Sequence, residues 1–131
     1  MPYTKYASVL SAAEARFYHA LICALPLEFV AFVKLRVADV VKVPPGSSRW
    51  YHHFNRVSAK HFDFVVCDAE TFEPLLAIEL DDRSHGRPDR VSRDDFVNAV
   101  TESADLPLLR FPVVREFDEQ LIRDALMMKL P

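Results

Sequence analysis

Two apolar runs, His61-Phe-Asp-Phe-Val-Val-Cys67 and Leu75-Leu-Ala-Ile-Glu-Leu80, each carry one acid, Asp63 in the first and Glu79 in the second. Strand alternation puts Phe62, Phe64 and Val66 on one face of the first run and His61, Asp63 and Val65 on the other. It puts Glu79 on the same face as Leu75 and Ala77 in the second. Both acids therefore interrupt faces that are otherwise largely apolar. The segment between the runs, Asp68-Ala-Glu-Thr-Phe-Glu-Pro74, is polar and ends in a proline, which suits the tip of an antiparallel hairpin. A turn centred on Thr71 sets Cys67 opposite Leu75, Val65 opposite Ala77, and Asp63 opposite Glu79. Residues so opposed have Cβ atoms roughly 4.5–5.5 Å apart, close enough for two like charges to destabilise the sheet. Compensation must come from protonation of one acid, from a buried base, or from a divalent cation between them, and hard-oxygen ligands suit Mg²⁺ or Mn²⁺. A register slip of one residue would separate the acids.

Working outward, the order of elements reads helix, strand, short helix or loop, strand, strand, helix, strand, helix. Ser11-Ala-Ala-Glu14 opens the first helix, whose apolar stripe of Ala15, Phe17, Tyr18, Leu21, Ile22 and Leu25 stops at Pro26. A strand follows at about Phe29 to Val37, and Pro44-Pro-Gly-Ser-Ser48 makes a loop before the hairpin. Beyond the polar stretch Asp81 to Arg90 come a helix from Ser92 to about Ala104, a short buried strand from Pro107 to Phe111, and a closing helix from Phe117 to Leu130. Phe62, Phe64, Ile78, Leu108 and Phe111 are the expected core. This α-β-β-β-α-β-α succession implies an α/β fold, a mixed sheet with helices on both faces.

Length and composition set the frame. With 131 residues, half of them hydrophobic, the chain fills one core, so a single domain over 1–131 is expected. Cys23 and Cys67 sit in apolar runs without metal-ligand spacing, which fits a reduced, cytoplasmic chain and no zinc site. The apolar stretch Phe17 to Leu35 contains His19, Pro26, Glu28 and Lys34, and no signal-peptide pattern precedes it, so no membrane span is expected. With only two glycines, Gly46 and Gly86, there is no glycine-rich phosphate loop or dinucleotide fingerprint.

Net charge is −3, yet its distribution is uneven. From Lys34 to Lys60 there are six basic residues, Lys34, Arg36, Lys42, Arg49, Arg56 and Lys60, against one acid, Asp39. From His61 onward there are sixteen acids against eight bases. The basic part also holds Trp50, Tyr51, His52, His53 and Phe54, so cations and flat rings alternate as phosphates and unstacked bases require. Lys34, Arg36, Arg49, Trp50, Arg56 and Lys60 are the expected nucleic-acid contacts; the competing reading is a solvated connector.

This order and these motifs resemble the PD-(D/E)xK nuclease superfamily, of restriction-endonuclease-like fold, near its very-short-patch-repair branch. They are similar to a bacterial family known only as a domain of unknown function. The motifs are Ser11 to Glu14, Lys60 to Phe64, Ala77 to His85, Asp89 with Arg93, and Leu106 to Arg110, and the resemblance spans about residues 8 to 125. It implies a metal-dependent nuclease, with Asp63 as the metal-binding Asp of the second core strand, Glu79 as the acid of the signature, and Glu14 as the helical Glu found in many members. Asp81 stands where the signature calls for the lysine that orients the attacking water and steadies developing charge. Lys60, His61, Arg83 or His85 are the candidate substitutes; the hairpin register sets His61 opposite Asp81, and the short-patch-repair branch uses a histidine in the loop of His85.

Each residue also has a plainer reading. Glu14 has capping-box spacing from Ser11. Asp63 pairs with Lys60 or Lys34, and His85 is a solvated loop residue. Asp81 and Asp82 add cation ligands or pair with Arg83, Arg87 or Arg90, while Asp89, Arg93 and Asp94 lock the loop onto the next helix. The expectation is a nuclease binding Mg²⁺ or Mn²⁺ through Asp63, Glu79 and Asp81 and acting on nucleic acid, DNA foremost, alone or with a protein such as a helicase. The alternative is a binding or protein-interaction module that keeps the fold without the chemistry.

Overall fold

The computed structural model describes the backbone of residues 1–82 and 88–131 and the side chains of 1–82 and 95–131. Helix α1, Ala12–Ala24, starts at a full capping box. The Glu14 amide donates to Ser11 Oγ at 3.1 Å and the Ser11 amide to Glu14 Oε1 at 2.8 Å. That satisfies two of the amides a helix start leaves unpaired. Its buried stripe is Phe17, Ala20, Leu21 and Ala24, one helical face. Ile22, expected in the stripe, lies off that face and is 44% exposed.

Strand β1, Phe29–Val33, is shorter than the expected run to Val37, because Lys34 takes a left-handed conformation (φ 52°) that ends the extended chain. The basic segment then folds into α2, Val37–Val40, and α3, Trp50–Ser58. The hairpin is β2, Phe64–Asp68, and β3, Pro74–Asp81. At its tip the Asp68 carboxylate accepts the Glu70 and Thr71 amides at 2.8 and 2.9 Å, an Asx-type turn. Those bonds hold the Asp68 carboxyl below its ordinary range. Helix α4, Pro88–Ser103, starts four residues before the expected Ser92; β4, Leu108–Pro112, and α5, Glu119–Lys129, follow. Asp118 caps α5 by accepting the Gln120 and Leu121 amides.

The sheet order is β1-β2-β3-β4, antiparallel except for the parallel pair β3–β4. A mixed four-stranded sheet flanked by helices is thus the architecture, as the element order implied. One face packs Phe64, Val66, Leu76 and Ile78 against α1 and α5, through Phe17, Leu21, Ile122 and Leu126. The other packs Val65, Cys67 and Ala77 against Val37, Val57 and Val97 of the remaining helices. The Phe17 ring meets those of Phe64, Phe111 and Phe117 at 5.1, 5.1 and 5.2 Å, tying α1 to β2, to β4 and to the approach to α5. Such ring pairs contribute about 0.5–1.5 kcal/mol each beyond the area they bury.

Val65 pairs with Ala77 as the turn argument requires, and the next rung is Phe64 with Ile78. Two details differ. The register shifts between Val66 and Cys67, so Cys67 meets Pro74 rather than Leu75, and Leu75 packs with the α1 side instead of with Ala77. Phe62 is buried with Val65, not with Phe64, because the chain bends at Asp63 and strict alternation stops there.

Candidate active site

The bend at Asp63 creates the site. Beyond the Phe64–Ile78 rung the two strands exchange side-chain bonds instead of backbone ones. The Asp63 amide donates to Glu79 Oε2 at 2.7 Å, and the Leu80 amide donates to Asp63 Oδ2 at 2.8 Å. Each acid thus closes the neighbouring strand. Charge-assisted bonds of this kind contribute about 1.5–3 kcal/mol each, which offsets part of the repulsion between two acids at opposed positions. Backbone amides are a source of compensation that the reading of side chains alone did not consider. Glu79 is 2% exposed and Asp63 half-buried, so the acids sit at the edge of the packed interior.

Two further strands complete the surroundings. On the β1 side, the Lys34 amide donates to the Asp63 carbonyl at 3.0 Å. The left-handed turn at Lys34 carries its ammonium to 3.5 Å from Glu14 Oε1. Glu14 therefore caps α1 and pairs with Lys34, whose amide bonds the Asp63 carbonyl. On the β4 side, Arg110 is the ladder partner of Glu79. Its Nη1 lies 3.4 Å from Asp81 Oδ1, and its Nη2 donates to Asn98 Oδ1 of α4 at 2.9 Å. Arg110, which the sequence offered only as the end of the Leu106 to Arg110 motif and not as a site candidate, stands beside Glu79. Its signal was of the same kind as that of Asp63: a charge on the face that Leu108 begins, at the end of the apolar run Leu106 to Arg110.

Among the described residues, no group of three or more His, Cys, Asp or Glu side chains is placed to hold a metal ion. Asp81, expected as a third ligand, lies 3.4 Å from Arg110 Nη1. Asp63 and Glu79 offer two carboxylates. That donor set fits Mg²⁺, which takes one or two carboxylates and keeps several waters, better than a zinc or calcium cage. His61 is exposed, and its backbone bridge is to Arg36 of the β1 side; the β2–β3 register extends only to Phe64 and Ile78. His85, Arg83 and Arg87 lie outside the described residues, as do the side chains of Asp89, Arg90, Arg93 and Asp94.

The basic segment divides in two. Lys34 is engaged by Glu14, and Arg36 grips Asp39 through Nη2 and Nε at 2.9 and 3.3 Å. That bond holds the Asp39 carboxyl below its ordinary range. Lys42 precedes α3, Arg49 is its N-cap in a left-handed conformation, His52, His53 and Arg56 lie within it, and Lys60 follows its C-terminal end. His52, Asn55, Arg56, Ala59, Lys60 and Phe96 line a groove of about 460 Å³, and Arg56 lies over the Phe96 ring at 4.6 Å. Trp50 stacks on Phe54, centroids 5.0 Å apart, and donates through Nε1 to the Val43 carbonyl at 3.0 Å. The more accessible ring is Tyr51, 78% exposed. The Arg49 guanidinium, followed by desolvation, His53 and Arg56, keeps the His52 imidazole below its ordinary pKa.

An α/β domain with two interlocked acids near the carboxyl end of a central strand is the class that fold and site define. The family described as "Protein of unknown function (DUF2726)" matches residues 6–130, and the chain belongs to that family. Neither a curated protein nor a solved structure matched the chain. Among the described residues, no helix is long and apolar enough to cross a membrane.

Proposed function

We propose that the chain is a Mg²⁺- or Mn²⁺-dependent nuclease of PD-(D/E)xK, restriction-endonuclease-like kind, acting on DNA. The observation that carries this reading is the reciprocal lock between the strands of Asp63 and Glu79, which holds two acids side by side at the margin of the core. Asp63 and Glu79 would hold the ion. Such an ion lowers the pKa of a bound water and neutralises charge on a scissile phosphate. The chain's own contribution is rigidity: each carboxylate is aimed by an amide of the opposite strand, so little reorganisation is required of the ligand oxygens. The groove beside α3, lined by Arg56 and Lys60, with Arg49 at the helix N-cap, would supply phosphate contacts that seat the backbone of the substrate.

Asp81 in the lysine position favours a second reading, a nucleic-acid-binding module without chemistry. Cleavage separates the two. Supercoiled plasmid, single-stranded DNA and RNA are incubated with Mn²⁺ or Mg²⁺ against an EDTA control, with Asp63→Asn and Glu79→Gln beside the wild type. Metal-dependent cutting lost in both variants supports the nuclease. Salt-sensitive binding without cutting supports the module.

A further inference from the structure

We propose that Arg110 supplies the positive charge that position 81 lacks: its guanidinium contacts the phosphate brought to Asp63 and Glu79 and steadies the charge that develops on its oxygens. The inference rests on the nuclease reading. Arg110 and Glu79 are ladder partners, so their side chains leave the same face of adjacent strands. Asn98 Oδ1 accepts from Nη2 at 2.9 Å, and Asp81 Oδ1 lies 3.4 Å from Nη1. The contact with Asp81 is longer than the 2.7–2.9 Å usual for an ion pair, so a phosphate oxygen can compete for Nη1. The Arg110 side chain is 23% exposed, enough to meet a ligand and dry enough for its charge to act strongly.

Asp81 then acquires a role of its own. It lies two residues beyond Glu79 on the same strand face and positions the arginine rather than a metal. In the hydrolysis, the water oxygen forms the new bond to phosphorus and the bond to the leaving sugar oxygen breaks. The proton shed by the water is balanced by one the leaving oxygen takes from solvent.

The test compares wild type, Asp63→Asn, Arg110→Gln, Arg110→Lys and Arg110→Ala in plasmid cleavage, with Mn²⁺ affinity read separately from the melting temperature. Arg110→Gln is expected to cut on the order of 100-fold more slowly, with Mn²⁺ affinity equal to or tighter than wild type. Arg110→Lys should retain part of the rate, and millimolar guanidinium should restore cutting to Arg110→Ala. Undiminished cutting by Arg110→Gln beside a dead Asp63→Asn overturns the inference and leaves the nuclease standing. Joint loss of cutting and Mn²⁺ affinity without guanidinium rescue makes Arg110 structural and also overturns it. A wild type that cuts nothing in either metal overturns the nuclease reading itself.

Discussion

Glu79 and Asp63 hold each other's strands: Glu79 Oε2 accepts the amide of Asp63, and Asp63 Oδ2 accepts the amide of the residue that follows Glu79. The two acids therefore both join the strands and stand as candidate ligands. Substitutions that keep an acceptor separate these roles from each other.

Asp63→Asn retains an oxygen for the Leu80 amide and should unfold within about 1 kcal/mol of wild type, whereas Asp63→Ala strands that amide and should lose about 1–3 kcal/mol. Urea denaturation measures both. Equal stability of the two variants would show that the bond contributes nothing. Asp63→Asn should nonetheless abolish cleavage.

Saturating Mn²⁺, at about a hundred times its dissociation constant, should stabilise the wild type by about 2.7 kcal/mol, a rise on the order of 5–10 °C in melting temperature. Asp63→Asn should lose that rise. Glu14→Gln should keep it, because glutamine still completes the capping box. A metal response that disappears in Glu14→Gln would bring Glu14 into the metal centre.

On single-stranded DNA, Arg56→Ala and Lys60→Ala should each reduce the slope of log affinity against log salt by about 0.7. Arg36→Ala should change it far less, since Asp39 already engages that guanidinium. Fluorescence anisotropy across a salt series decides this. Equal slopes for all three would remove the α3 groove from the interface.

His52 should give nucleic-acid binding a pH dependence. Arg49 and its other cationic neighbours push its pKa below the ordinary 6.5. Its contribution to stability is therefore full above that value and lost as pH falls through the folded pKa. Bound phosphates oppose the push, so the complex takes up a proton and affinity should rise, by no more than about tenfold, between about pH 7.5 and pH 5.5. Anisotropy titrations of His52→Gln should give a flatter profile than wild type. An unchanged profile would place the phosphates away from His52.

Much of the architecture was written in local pattern. Ser11 and Glu14 announce the start of α1, Pro26 its end, and the polar stretch from Asp68 to Pro74 the turn between β2 and β3. Polar signals fail where side chains do not decide the geometry. The left-handed residues Lys34 and Arg49 gave no warning, because glycine is the residue that favours that conformation, and they end β1 early and begin α3. The bend at Asp63 likewise moved Phe62 to the other core, because alternation holds only while the strand stays extended.

By itself the sequence determined the four strands, the pairing of Val65 with Ala77 and the approach of two acids, because period-two alternation and turn chemistry are properties of neighbouring residues. Only the tertiary structure decided what surrounds those acids. The amides of Asp63 and Leu80 depend on the bend that ends the hairpin ladder, the pairing of Lys34 with Glu14 on how α1 meets the end of β1, and the arrival of Arg110 beside Glu79 on how β4 lines up with β3. Register follows the hydrophobic pattern of whole faces, and across a crossover no tight turn fixes it locally.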